Sequence, residues 1–204
     1  MEGGWITKAH HRYWIDPSRR YREGHSEDVR HGEYLDAMEG CVNMMDMRVN
    51  DETRSWFGKS FNLVKAFIAH GGYRLYPVSV TMPDKAKNGD VVKLASRWEN
   101  IGWGYCPTNI PQWNQKYKVA YGLFKDGKLV KVIVDNNSDL SKWIKGNVAD
   151  CTVTTTLDGL NKGKYDWKIA LVDTTKGNNP GLEIAVDTTL LDDGWLKITE
   201  MTIK

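Results

Sequence analysis

The sequence predicts a mainly β protein: an antiparallel β-sandwich of the immunoglobulin-like or jelly-roll type, preceded by a partial βαβα segment. Three observations point there. From Tyr73 onward, apolar residues recur at every second position in short runs divided by turn residues. Before Gly71-Gly72 the apolar residues of the longest segment recur at three- and four-residue steps instead. Composition shifts at the same place, since all five His and five of the seven Met lie before Tyr73. The chain is therefore divided into residues 1–72 and 73–204.

Taken in order, Met1 to Ile6 resembles the end of a strand running into a Gly-rich loop. Asp28 to Met38 reads as a helix in which Val29 with Glu33 or Tyr34 sets the face, although Gly32 weakens it. Cys41 to Val49 is a short apolar run bounded by polar residues, the pattern of a buried strand. Glu52 to His70 carries Phe57, Phe61, Val64, Phe67 and Ile68 at helical spacing and stops at Gly71-Gly72, a C-terminal glycine signal. Strand, helix, strand, helix is the order this gives.

Eight strands follow: Tyr73 to Thr81, Asp90 to Trp98, Tyr117 to Lys125, Lys128 to Asp135, Cys151 to Leu157, Lys164 to Asp173, Leu182 to Asp187 and Trp195 to Ile203. Asp126-Gly127 predicts a tight hairpin between the third and fourth. In the last strand the apolar phase changes from Leu196 and Ile198 to Met201 and Ile203, which predicts a bulge at Thr199-Glu200. Trp98 and Trp167 follow strand parity and are expected in the core. Trp143 and Trp195 stand beside turns and fit either core or surface.

A chain of 204 residues is long enough to bury a substantial core. The formal charge of +2 is small, and Lys and Arg are dispersed along the sequence, so nucleic acid is not an expected partner. No apolar stretch is long enough to span a bilayer and no signal peptide is legible, so no membrane partner is expected either. Cys41, Cys106 and Cys151 have no metal-knuckle or redox spacing. A Cys106–Cys151 bridge stays open. His10, His11, His25 and His31 match no ligand set, and solvent-exposed loop histidines explain them more simply. Asp135, Asn137 and Asp139 place acceptor oxygens at alternating positions, as calcium loops do, but the distal Glu and central Gly are missing. A turn leading into a short helical segment through Trp143 is the competing reading, and no cofactor is expected beyond that weak calcium candidate.

The long stretch from Trp98 to Asn114 concentrates the candidate site. Pro107 and Pro111 stiffen it, and Trp103, Tyr105 and Trp113 are large flat side chains that cannot all be core. Gln112 and Asn114 supply paired donors and acceptors beside them. An aromatic ring matches the apolar face of a pyranose, so Trp103, Tyr105, Gln112, Trp113 and Asn114 form a candidate carbohydrate-binding set. Each ring also fits a plug over the end of the sandwich.

Several segments resemble a bacterial family of glycoside-hydrolase-like proteins in which a β/α barrel is followed by a β-sandwich. They are Glu2-Gly3-Gly4-Trp5, His10 to Trp14, Trp56-Phe57, the junction Gly71 to Pro77, Trp98 to Gly102, Asn109 to Asn114, Trp143 and Asp193 to Leu196. The resemblance is to the C-terminal part of that family. It implies that residues 1–72 are the last two βα units of a barrel, with Glu2 where a retaining glycosidase carries its nucleophile. Asp46 and Arg48 would then stand at the barrel mouth. Retention needs two carboxylates about 5 Å apart, and this chain offers none for the earlier strand, so activity of the chain alone is not expected. The resemblance further implies a secreted or extracytoplasmic setting and a tendency to self-associate through the incomplete barrel. The expectation is a non-catalytic accessory sandwich that binds a polysaccharide or oligosaccharide. Two alternatives remain: a purely structural sandwich, or part of an active retaining glycosidase.

Overall fold

In the computed structural model, which describes residues 26–47 and 50–204, the chain divides into two units. One holds the residues up to Tyr73 together with Gly102–Tyr105; the other holds Arg74–Ile101 and Cys106–Lys204.

The described part of the first unit is helical: α1 (Ser26–Glu39), α2 (Asn50–Lys59) and α3 (Phe61–His70). Helix α1 forms despite Gly32 and buries Val29 and Arg30. The Arg30 guanidinium lies 4.7 Å from the centre of the Trp56 ring of α2. It also bonds Glu33 at 3.1 Å, so the buried cation is not isolated. The single helix expected over residues 52–70 is broken at Ser60. That residue is buried, adopts φ −140° and ψ 33°, and starts α3 by accepting from Leu63 N and Val64 N.

The expected βαβα order is not shown among the described residues. Residues 42–47 lie in no strand. Both ends of the run are engaged elsewhere: Val42 O accepts from Trp103 Nε1 at 3.2 Å while Val42 N donates to Ala37 O at 2.9 Å, and Met47 O accepts from Thr53 Oγ1 at 2.8 Å. A run whose terminal carbonyls are taken by an indole and a hydroxyl is held out of a ladder at both ends. The expected first strand lies outside the described residues.

The second unit is an antiparallel sandwich. One sheet has the order β1-β3-β6, from β1 (Leu75–Thr81), β3 (Val91–Asn100) and β6 (Val148–Thr156). The other has the order β2-β10-β7-β4-β5, from β2 (Lys85–Ala86), β4 (Tyr117–Lys125), β5 (Lys128–Asp135), β7 (Gly163–Asp173) and β10 (Trp195–Ile203). Short strands β8 (Asn179–Leu182) and β9 (Leu191–Asp192) pair with β7 and β10. Every pairing is antiparallel except the two-residue contact of β2 with β10. Pro77 is tolerated because β1 is an edge strand, and the register slips immediately after it.

Alternation decides which faces meet. Val119, Tyr121 and Leu123 of β4 sit opposite Leu171, Ile169 and Trp167 of β7, all fully buried, and Leu94 and Trp98 of β3 are buried with them. The polar atoms carried into this core are paired. Ser96 Oγ and Tyr121 OH lie 2.8 Å apart, Trp98 Nε1 donates to Ser96 Oγ at 2.9 Å, and Trp167 Nε1 donates to Pro83 O at 3.1 Å. Asp126 (φ 50°) and Gly127 (φ 75°) are both left-handed, the conformation a two-residue hairpin requires. The β10 irregularity falls between Lys197 and Thr199, slightly ahead of its expected place. The strand expected at 182–187 lies earlier, as β8. Asp187 instead caps a 3-10 turn over Thr188–Leu190 by accepting from Thr189 N.

No helix among the described residues is long and apolar enough to cross a membrane.

Candidate functional site

The connection between β3 and β4 is two structures in series. Gly102–Tyr105 belongs to the helical unit, and the chain re-enters the sandwich at Cys106. Trp103 is 3% exposed. Its ring meets Tyr34 edge-on at 5.2 Å and Phe67 at 5.3 Å, and its backbone N donates to His70 O at 3.1 Å. Gly104 N donates to Gly72 O at 2.9 Å. A β-carbon at Gly104 would meet Asn43 Oδ1 and the Gly72 backbone well inside contact distance, so glycine is required for that approach. Tyr105 is half-buried, and its carbonyl accepts from Asn43 Nδ2 at 2.9 Å. Trp103 is therefore corrected from a candidate stacking ring to a plug. The aromatic neighbours that bury it lie more than thirty residues away in sequence.

From Cys106 to Lys116 the loop is pinned to itself. Trp113 N and Asn114 N both donate to Ile110 O, at 3.0 and 2.8 Å, and Gln115 N donates to Thr108 O at 2.7 Å. The buried Thr108 hydroxyl bonds Gln115 Oε1 at 3.1 Å. Asn114 (φ 41°) and Gln115 (φ 58°) are successive left-handed residues. That reversal leaves Gln112 and Asn114 exposed on either side of a half-buried Trp113. The Trp113 ring packs edge to face with Tyr117 at 5.1 Å and 81°.

Beneath these rings lies an ion pair. Lys116 Nζ is 2.9 Å from Asp173 Oδ2 and 4.8 Å from the centre of the Tyr117 ring. Asp173 Oδ1 accepts from Thr175 N at 2.9 Å and Thr175 Oγ1 at 2.6 Å. Burial alone would raise the Asp173 pKa, but the Thr175 and Lys116 hydrogen bonds outweigh it and hold the carboxyl below its ordinary value. Tyr117 and the Lys116–Asp173 pair were missed in the sequence. The signal available was Tyr117 four residues after Trp113, read only as the start of a strand.

The remaining candidates do not join this cluster. Glu2 and Arg48 lie outside the described residues, and Asp46 sits half-buried in the irregular 42–47 run. Asp135 Oδ1 accepts from Asn137 N, and Asp139 Oδ1 accepts from Ser141 N and Ser141 Oγ. Those oxygens build a turn and the cap of the 3-10 turn Leu140–Lys142. No group of three or more His, Cys, Asp or Glu among the described residues is placed to hold a metal. Cys41, Cys106 and Cys151 are free thiols. Burial pushes Cys106 and Cys151 up to about 12, so both are protonated at neutral pH.

No protein-family profile and no curated protein matches the chain. Among solved structures, the CARDB domain of the PF1109 protein from Pyrococcus furiosus, determined by solution NMR, is similar over 64% of this chain and 94% of its own. The identity is 13% and the TM-score 0.37. A crystal structure of that domain in complex with di-metal ions matches over 64% and 93%, at 11% identity and a TM-score of 0.34. AvmM, described as catalysing macrocyclization in alchivemycin A biosynthesis, matches over 64% and 87%, at 9% identity and a TM-score of 0.25. Likeness at this level has no bearing on ligand or reaction.

Proposed function

We propose that the chain is a non-catalytic β-sandwich accessory module that binds a polysaccharide or oligosaccharide at the Trp113 loop. The observation that carries this reading is the half-exposed indole of Trp113, flanked by the exposed amides of Gln112 and Asn114 on a loop pinned by its own hydrogen bonds. A ring in that setting accepts the C–H face of a pyranose, while the amides take its hydroxyls through paired donors and acceptors. Because the loop is already held, little ordering is required on binding. Tyr117 serves as a prop for Trp113 rather than a second platform, since the two rings are nearly perpendicular.

The test is affinity electrophoresis of the full chain in gels cast with a panel of soluble glycans. Trp113→Ala should lose the retardation that the parent shows while keeping a parental melting curve. Trp103→Ala should instead cost about 3–5 kcal/mol of stability, the usual cost of emptying a core aromatic site. A parent retarded by no glycan, or a Trp113→Ala variant retarded like the parent, overturns the reading. The burial of Trp103 favours a second reading, in which the whole connection is scaffold without a ligand, and either of those outcomes would leave that one standing.

A further inference from the structure

We infer that the pole of the sandwich opposite Trp113 is a docking surface for an anionic lipid layer. The inference is independent of the glycan reading, because it uses other residues at the other end of the strands. Four segments meet at this pole: the β1–β3 connection, the β4–β5 hairpin, the β6–β7 loop and the end of β10. They are tied into one rigid end. Gly89 N donates to Leu157 O at 2.6 Å, Leu160 N to Asn88 Oδ1 at 2.8 Å, and Lys204 N to Ala86 O at 3.0 Å. Lys125 Nζ bonds Lys162 O at 3.4 Å and lies 5.2 Å from the centre of the Tyr165 ring.

This end displays Lys87, Lys128, Lys162, Lys164 and Lys204, all exposed and none ion-paired among the described residues. Two of the carboxylates there face other lysines, Asp84 toward Lys85 and Asp158 toward Lys131. Asp126 in the hairpin turn and Asp90, which accepts only from the neutral backbone N of Lys87 at 2.7 Å, oppose the five lysines and leave the end with a positive excess. The Trp113 pole is closer to balance: Asp173 is paired with Lys116, and the exposed Glu183, Asp187 and Asp193 are offset by the exposed Lys145 and Lys176. A sandwich polarised in this way orients in a surface potential and approaches an anionic layer with its lysines first.

The side chains beside the lysines decide which polyanion fits. Val91, Leu129 and Val130 are 68%, 42% and 47% exposed. Val91 opens β3, Leu129 follows Lys128, and Val130 is the bulged residue of edge strand β5. Aliphatic tips next to ammonium groups suit the headgroup boundary of a bilayer. The aromatic rings of this end, Tyr165 and Trp167, are buried, so no face is offered to stack on a sugar or a base. The sequence-based expectation of no membrane partner rested on the absence of a spanning stretch and of a legible signal peptide, and dispersed lysines counted only against nucleic acid; the fold gathers those lysines at one end.

The test is sedimentation of the full chain with phosphatidylcholine vesicles, with and without phosphatidylserine. Anionic vesicles should retain the protein at least about tenfold better than neutral ones, and raising salt from about 0.1 M to about 1 M should release it. Lys162→Glu with Lys164→Glu should lower retention about tenfold, and Lys162→Gln with Lys164→Gln should fall between that variant and the parent. Lys145→Glu with Lys176→Glu, at the other pole, should bind as the parent does. Leu129→Ser should weaken binding to vesicles without changing its salt dependence. Equal binding to neutral and anionic vesicles overturns the inference. So does a Lys162/Lys164 charge reversal that binds like the parent, or retention by soluble dextran sulfate with none by vesicles.

Discussion

At the scale of single residues, the tryptophans show what local sequence can and cannot decide. Trp98 and Trp167 fall on strand parity, and both are fully buried as that parity requires. Trp143 and Trp195 carry no such signal, yet both are buried. Trp143 stacks on Trp98 at 5.6 Å, and Trp195 lies across Gly122, where a β-carbon would meet the indole at 2.9 Å. Trp103 and Trp113 look alike in sequence and differ in fate because of partners elsewhere in the chain. Asp173 gives this scale its pH dependence. Its folded-state pKa is lowered from 3.8, so folding favours the carboxylate. Its contribution is complete above the unfolded value and is lost as pH falls through the folded one. Asp173→Asn should therefore lower the melting temperature at neutral pH and flatten its decline below about pH 4, as followed by calorimetry across acid pH. A variant whose acid limb matches the parent's would remove Asp173 as its source.

At the scale of elements, strands were more legible than the segments around them. The expected bounds of β4, β5 and β10 coincide with the observed ones, because alternation and turn residues agree there. The Asp126-Gly127 turn is the simplest case, and Gly127→Ala should destabilise the chain by about 1 kcal/mol, since a β-carbon is disfavoured at φ 75°. A urea titration of that variant with an unchanged midpoint would show the hairpin to be indifferent to its turn. Misreadings arose where an apolar run had no ladder to enter, as in residues 42–47, or where a side chain took over the backbone. Asp187 ends the expected seventh strand by turning it into a cap, and Ser60 divides a helix whose apolar spacing continues across the break. Periodicity reports which side chains face inward; it is silent on which backbone group finds a partner first.

At the scale of the whole molecule, sequence order hides two arrangements. Lysines that are scattered along the chain converge on one end of the sandwich because antiparallel connections bring alternate turns together. Gly102–Tyr105, which reads as part of a sandwich loop, is built into the helical unit. Residues 74–204 expressed alone would carry Trp103 without Tyr34 and Phe67, its covering rings. That fragment should self-associate, and Trp103→Ser in the same fragment should shift it toward monomer in analytical ultracentrifugation. Equal association of the two fragments would mean that the ring finds cover within the sandwich. The four-residue excursion also bears on how such a chain can be reshuffled. A recombination event that lifted the sandwich into another gene would carry along a tetrapeptide written for a neighbour left behind. This sandwich is not a free cassette; it travels with its helices, or with that tetrapeptide rewritten.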